Sequence, residues 1–97
     1  MDRDKIIHII STHREELRRK GVRKLSLFGS FVRGEGEPGS DIDLLVEFEE
    51  PVGLFDFFRL QHYLEEILGV ERVDLVQPGA LHPALKERIL AEAEHVA

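Results

Sequence analysis

The 97 residues are enough for one small hydrophobic core and leave no room for a second independent core. The formal net charge of −6 argues against a simple nucleic-acid-binding module, because such proteins neutralise phosphates with Lys and Arg. The absence of cysteine excludes a disulfide framework, a thiolate nucleophile and a zinc–thiolate site.

The N-terminal part of the chain predicts a helix followed by a strand. Apolar residues recur near helical spacing over residues 3–20, and Gly21 is placed to end that helix as its C′ residue. Residues 22–28 have the composition of a short strand, which stops at Gly29-Ser30.

The next segment predicts a tight connection to a second strand. A brief helical turn over residues 31–33 can follow Ser30, which would be its N-cap. Residues 35–40 consist of turn-forming residues. The stretch 41–48 that follows is apolar enough to be a largely buried strand.

The second half predicts two helices around a third strand, over residues 54–68, 72–76 and 83–96. The helical spacing of the Phe residues near position 57 favours a place in the core over a base-stacking platform. The side chains expected to face the core from the two helices are Leu54, Phe57, Phe58, Leu64, Ile67 and Leu68, and then Leu85, Ile89, Leu90 and Ala93.

The element order αβ(α)βαβα indicates an α/β (α+β) fold in which helices pack on a sheet. The short connection between the first two strands favours antiparallel pairing. The helix between the second and third strands favours parallel pairing through a right-handed crossover. We therefore predict a small mixed three-stranded sheet flanked by helices.

Gly29-Ser30 lies at the end of a predicted strand and the start of a predicted helical turn. Glycine lets the backbone come close to a ligand, and a helix start presents N–H groups that suit phosphate oxygens. Taken alone, a Gly-Ser pair is more often an ordinary turn.

Asp41 and Asp43 are two residues apart in a strand, so their carboxylates should lie on one face. Two adjacent carboxylates ionise more easily around a cation, and oxygen ligands favour Mg²⁺. The alternative is a polar strand start that happens to hold two acids.

Asp74 lies inside the apolar strand Val-Asp-Leu-Val. A buried carboxylate needs a partner, so Asp74 would face the Asp41–Asp43 pair if the third strand lies beside the second. The alternative is an Asp that faces water from an edge strand.

The spacing of these features resembles the DNA polymerase beta-type nucleotidyltransferase superfamily. Gly29-Ser30, ten intervening residues and Asp41-x-Asp43 are followed by Asp74 in a later strand. The fuller strings GSFVRG and SDIDLLV are similar to the minimal nucleotidyltransferase (MNT) branch. The close match covers about 20 residues, and the element order matches over nearly the whole chain, so residues 1–97 are expected to form one MNT domain.

The resemblance implies a Mg²⁺-dependent transfer of a nucleotide from ATP. Gly29, Ser30 and Arg33 would bind phosphates of the nucleotide. Three carboxylates, those of Asp41, Asp43 and Asp74, would hold a pair of Mg²⁺ ions and promote attack by the acceptor, with pyrophosphate as the leaving group.

The resemblance also implies a protein acceptor, since larger superfamily members carry acceptor-binding domains for which this chain has no room. MNT proteins of this size resemble antitoxins that transfer AMP to a tyrosine of a HEPN ribonuclease toxin, and a hetero-oligomer with that toxin is expected. The alternatives are an antitoxin that masks the toxin by contact, and transfer to a small molecule or an RNA end. No direct nucleic-acid binding is expected. No membrane span or signal peptide is apparent, so a cytoplasmic protein is expected.

Overall fold

The computed structural model describes residues 2–34 and 41–97, so the predicted turn over residues 35–40 lies outside the described residues. The chain begins with two helices, α1 (Arg3–Thr12) and α2 (Arg14–Arg19). The sequence predicts one continuous helix over residues 3–20, and that prediction is wrong.

The helix is interrupted at His13, whose backbone leaves helical geometry at φ −106° and ψ 18°. The carbonyl oxygen of Ile9 would accept the His13 N–H in a continuous helix. It instead accepts the Thr12 hydroxyl at 2.7 Å and lies 2.8 Å from Nδ1 of His13. The His13 N–H donates to the carbonyl of Ile10, at 3.0 Å. Local side-chain hydrogen bonds therefore compete with the helical pattern at this point.

The strands of the described residues are β1 (Val22–Phe28), β2 (Ile42–Phe48), β3 (Val73–Val76) and β4 (Glu94–His95). They form one mixed sheet in the order β3-β2-β1-β4. The pairing of β1 with β2 is antiparallel and that of β2 with β3 is parallel, which confirms both predictions. The three-stranded prediction missed the fourth strand, which pairs antiparallel with β1.

The fourth strand replaces the end of a predicted helix. Helix α4 (Pro83–Glu92) was expected to run to residue 96 but stops at Glu92. The Val96 N–H donates to the carbonyl of Leu25 at 2.9 Å, and the Leu25 N–H donates to the carbonyl of Ala97 at 2.9 Å. The C-terminal residues extend because the outer edge of β1 offers backbone groups that need partners.

Helix α4 also differs from prediction in its burial, because none of its side chains is buried. Leu85 is 53% exposed and Leu90 is 46% exposed. Ile89 and Ala93 are half-buried. The prediction that these four residues face the core is wrong for the two leucines.

Helix α3 (Leu54–Leu68) has the predicted bounds, and it ends at Gly69 in the left-handed conformation with φ 66°. Its buried stripe consists of Leu60, Leu64 and Leu68. Phe58 points about 120° away from the centre of that stripe at 100° per residue, and it is 49% exposed. Leu54 and Phe55 are exposed as well, so the predicted core face was too broad.

The core lies between α1, α2, α3 and one face of the sheet. The β2 and β3 residues of this core alternate along their strands, so the residues between them point to the opposite face of the sheet. No helix within residues 2–34 and 41–97 is long and apolar enough to cross a membrane. The main buried side chains of this core are Ile6, Ile10, Leu17, Leu25, Leu27, Ile42, Leu44, Val46, Leu60, Leu64, Leu68, Val73 and Leu75.

Candidate active site

The register of the sheet brings two of the predicted site residues side by side. Asp43 on β2 is paired with Asp74 on β3, and on its other side with Phe28 at the end of β1. Both aspartates are half-buried, and Ile42 on β2 faces the core. Asp43 and Asp74 therefore share the face of the sheet opposite to that core.

Gly29 lies directly against Asp43. Its φ of +79° favours glycine, and a Cβ built on it would lie 2.3 Å from Oδ2 and 3.0 Å from Cγ of Asp43. A residue with a side chain would therefore meet two obstacles, backbone strain and a clash with the carboxylate. The backbone after β1 is in this way held against one of the candidate metal ligands.

The chain from Gly29 to Gly34 forms one turn of helical type, as predicted, and this turn does not continue as a helix. The Arg33 N–H donates to the Gly29 carbonyl at 3.4 Å, and the Gly34 N–H donates to the Phe31 carbonyl at 3.3 Å. Because the Gly29 carbonyl accepts the first of these bonds, Gly29 rather than Ser30 is at the N-cap position, and the prediction of Ser30 as the N-cap is wrong. The buried side chain of Phe31 anchors the segment in the core.

The electrostatics of the site centre on Asp43. Its pKa is raised from 3.8 to about 6, first by burial and then by the neighbouring carboxylates of Asp74 and Asp41. A hydrogen bond with Asp74 also favours the protonated form, whereas the positive charge of Arg33 opposes the rise. The carboxylates therefore concentrate negative charge at this site, and the positive charge of Arg33 compensates only part of it.

Asp41 lies immediately before β2 and is exposed. Its Oδ2 is 3.7 Å from Nε of Arg72, which is also exposed. An exposed ion pair of this kind stabilises a protein by about 0–1 kcal/mol. A cation bound by Asp41 can therefore replace Arg72 at small energetic cost.

The donor chemistry of the three carboxylates fits Mg²⁺, which prefers oxygen ligands and is usually held by one or two carboxylates and substrate phosphates. A cation would also relieve the repulsion that raises the pKa of Asp43. Among the described residues, no three acidic or His side chains already form a metal-binding cluster. Asp43 and Asp74 are together, and Asp41 is paired with Arg72.

Arg33 lies close enough to Asp43 for its charge to affect that carboxylate. Its Nη1 also donates a hydrogen bond to Oε1 of Glu92, the last residue of α4. The Arg33 side chain is 48% exposed, so it borders solvent at the edge of the site. Arg33, which the sequence predicts to bind a phosphate, is therefore near the carboxylates. Its ion-pair partner Glu92 was not indicated by the sequence.

Two further residues that sequence reasoning missed support Asp74. Nε2 of Gln61 donates to the carbonyl of Val73 at 2.8 Å, and the Val73 N–H donates to Oε2 of Glu65 at 3.0 Å. These bonds from α3 hold the backbone of the edge strand next to Asp74. Their signal in the sequence is a polar pair at i and i+4 beside the apolar stripe of a helix.

Comparison with known proteins identifies the family to which this chain belongs. The nucleotidyltransferase domain family matches residues 10–96. This match covers most of the chain, so the chain belongs to the nucleotidyltransferase domain family, and the resemblance inferred from Gly29-Ser30 and Asp41-x-Asp43 is confirmed.

Its relatives are more specific. The chain is 44% identical over 94 residues to the protein adenylyltransferase MntA of Thermococcus cleftensis, which covers 96% of this chain and 94% of that protein. It is also 48% identical over 92 residues to a protein of Methanocaldococcus jannaschii, with 95% of this chain and 90% of that protein covered.

Solved structures share the architecture. A minimal nucleotidyltransferase structure superposes with a TM-score of 0.84 at 41% identity, covering 97% of this chain and 95% of that one. The MNT antitoxin complex with a tri-AMPylated HEPN toxin of Shewanella oneidensis gives a TM-score of 0.62 over 98% of this chain and 68% of that chain. At 22% identity, this second likeness concerns the fold.

Gly29→Ala tests the close approach of the turn to Asp43. Gly21→Ala is the matched control, because Gly21 has a similar φ of +89° with nothing within 4 Å of its built Cβ. The control should lose about 1 kcal/mol of unfolding free energy from backbone strain. Gly29→Ala should lose at least about 1 kcal/mol more in urea denaturation, because the clash adds to the strain. Equal losses would show that Asp43 moves aside freely.

The raised pKa of Asp43 predicts a pH-dependent stability. Between pH 3.8 and about 6 the folded state keeps a proton that the unfolded state releases, so this group makes the protein less stable as pH rises. Asp43→Asn should therefore be more stable than wild type at pH 7 by about 1–2 kcal/mol without divalent cations. The advantage should disappear near pH 4 in urea denaturation with a chelator. A difference independent of pH would contradict the crowding of the carboxylates.

Proposed function

We propose that the face of the sheet carrying Asp43 and Asp74 is a nucleotidyl-transfer site that uses ATP and Mg²⁺. The observation that carries the proposal is the pairing of these two acids on adjacent strands, with the Gly29 backbone against one of them. A polar strand end requires neither a shared register of carboxylates nor a glycine in contact with them. Both features suit a site that holds metal-bound phosphates, because the paired carboxylates can share a cation and the glycine lets the backbone approach them.

The turn after β1 would bind the terminal phosphates of ATP. The absence of a side chain at Gly29 lets the backbone of this turn lie beside the Asp43 carboxylate, and the Ser30 hydroxyl can donate a hydrogen bond to a phosphate oxygen. Arg33 carries a planar guanidinium that can donate two parallel hydrogen bonds to a phosphate. Its proximity to Asp43 places this positive charge beside the carboxylates.

Asp41, Asp43 and Asp74 would hold two Mg²⁺ ions. When bound, these ions would neutralise the triphosphate and stabilise the attacking and leaving oxygens. Asp74 would accept the proton of the acceptor hydroxyl while the oxygen of that hydroxyl forms a bond to the α-phosphorus. The bond between the α-phosphorus and the oxygen that bridges it to the β-phosphorus would break, and pyrophosphate would leave.

We further propose that the acceptor is a tyrosine hydroxyl of a HEPN-type ribonuclease toxin, and that AMP transfer silences the toxin. The 44% identity to a protein adenylyltransferase supports a protein acceptor. The fold shared with an MNT antitoxin bound to a tri-AMPylated HEPN toxin supports the type of partner and a hetero-oligomer. Because ATP is the donor, the cytoplasm is the expected compartment.

A second candidate is an antitoxin that masks the toxin by contact alone. The observation in its favour is the exposure of large apolar side chains on two helices. Leu54, Phe55 and Phe58 are exposed on α3, and Leu85 and Leu90 are exposed on α4. Such side chains can bury area against a partner without any chemistry.

Intact mass spectrometry of the co-purified partner tests the transfer. With Mg²⁺ and ATP, the partner mass should rise by whole adenylyl units, and Asp43→Asn should abolish the rise because the carboxylate pair is lost. Glu47→Gln is the matched control, since it removes the same charge from the same strand, where Glu47 pairs with Arg23 at 2.7 Å. This control should retain transfer. An unmodified partner with the wild-type protein would refute the proposal.

Toxicity in cells separates the two candidates. The Asp41→Asn/Asp43→Asn double variant should fail to neutralise the toxin if AMP transfer is the mechanism. Full neutralisation by that variant at wild-type protein levels would favour masking by contact.

A further inference from the structure

The Arg33–Glu92 ion pair joins two parts of the chain that are 59 positions apart. Arg33 lies in the turn after β1, and Glu92 is the last residue of α4. The Glu92 side chain is 21% exposed, so less solvent surrounds its carboxylate than the half-exposed guanidinium. This contact connects the candidate phosphate-binding turn to the C-terminal part of the fold.

Glu92 is held in place by its neighbours rather than by its own helix. Helix α4 buries none of its side chains. Two positions after Glu92, however, Glu94 is paired with Leu27 of β1, and Oε2 of Glu94 accepts a hydrogen bond from Nε of Arg3 at 2.7 Å. The backbone just after Glu92 is therefore fixed by strand pairing next to the site. This fixed backbone limits the positions that the Glu92 carboxylate can occupy.

Arg33 benefits from such a partner because its side chain is long and half-exposed. An arginine without a fixed contact samples many rotamers and loses that freedom when it binds a phosphate. A carboxylate that already selects a rotamer reduces this loss at the moment of binding. In this rotamer the positive charge of Arg33 also opposes the rise in the pKa of the Asp43 carboxyl.

We propose that Glu92 is a positioning residue for nucleotide binding, which holds the Arg33 guanidinium in the orientation that receives a phosphate of ATP. This inference rests on the proposed nucleotidyl-transfer function. Glu92 acts through Arg33 and does not touch the nucleotide. The C-terminal strand thereby has a second role besides completing the sheet, since it fixes the backbone from which Glu92 reaches the site.

Isothermal titration with AMP-PNP and Mg²⁺ in the absence of the partner protein measures this role without turnover, because no acceptor hydroxyl is present. Glu92→Ala should raise the Kd by about 3- to 10-fold, and Arg33→Ala should raise it at least as much. The Arg33→Ala/Glu92→Ala double variant should bind like Arg33→Ala alone, since Glu92 acts only through Arg33. Glu87→Ala removes an exposed acid from the same helix and should leave the Kd unchanged.

Two further measurements distinguish positioning from a general structural role. Glu92→Gln keeps a hydrogen-bond acceptor and should bind with a Kd between those of wild type and Glu92→Ala, which also keeps the test valid if the alanine variant folds poorly. In steady-state transfer assays, Glu92→Gln should raise the KM for ATP while kcat stays within about twofold. A fall in kcat with an unchanged KM would overturn the proposal.

AMP-PNP binding by Glu92→Ala that is as tight as that of wild type, or tighter, would also overturn the proposal. Tighter binding would mean that the Glu92 carboxylate only competes with the phosphate for Arg33. Additive effects of Arg33→Ala and Glu92→Ala would show that Glu92 acts by another route. If the wild-type protein binds AMP-PNP and these comparisons fail, the inference alone is wrong. If the wild-type protein binds no AMP-PNP, both the inference and the proposed function are wrong.

Discussion

The structure depends on one electrostatic constraint, which is the placement of two carboxylates at the same register position of adjacent strands. Asp43 and Asp74 are neighbours because β2 and β3 pair in parallel, and Asp41 adds a third negative charge at the start of β2. Repulsion and partial burial together raise the pKa of Asp43 to about 6. This arrangement destabilises the ionised form of Asp43 in the protein alone. Such a cost has a functional reason if a cation and a polyphosphate complete the site.

The surrounding structure keeps these charges in place. On one side the backbone of Gly29 lies so close to Asp43 that a Cβ at this position would clash with the carboxylate, and on the other side α3 binds the backbone of Val73 next to Asp74. The alternating apolar residues of the strands anchor the sheet against α1, α2 and α3, so the opposite face can carry the acids. Arg33 compensates part of the negative charge from the edge of the site. The energy that orders this face therefore comes from the core behind it.

The sequence predicted the features that depend on local patterns. The bounds of α3 were correct because glycines stand at both of its ends, and the acids at positions 41, 43 and 74 could be found from their spacing. The break at His13 and the strand β4 were missed, because the first depends on side-chain hydrogen bonds and the second on the free edge of β1. The exposure of Phe58 was also missed, because it depends on how narrow the buried stripe of α3 is and on which side of the helix this stripe lies. The Arg33–Glu92 contact joins residues 59 positions apart, which no local pattern indicates.

The central claim is that the carboxylates form a site only with a cation and a nucleotide, and thermal unfolding tests it most directly. The midpoint of wild-type unfolding should rise when AMP-PNP and Mg²⁺ are added together, because a ligand that binds only the folded state stabilises it. AMP-PNP with a chelator should give little or no rise, and Asp43→Asn should not respond to the combination. An equal rise with and without Mg²⁺, or no rise with either, would contradict the account.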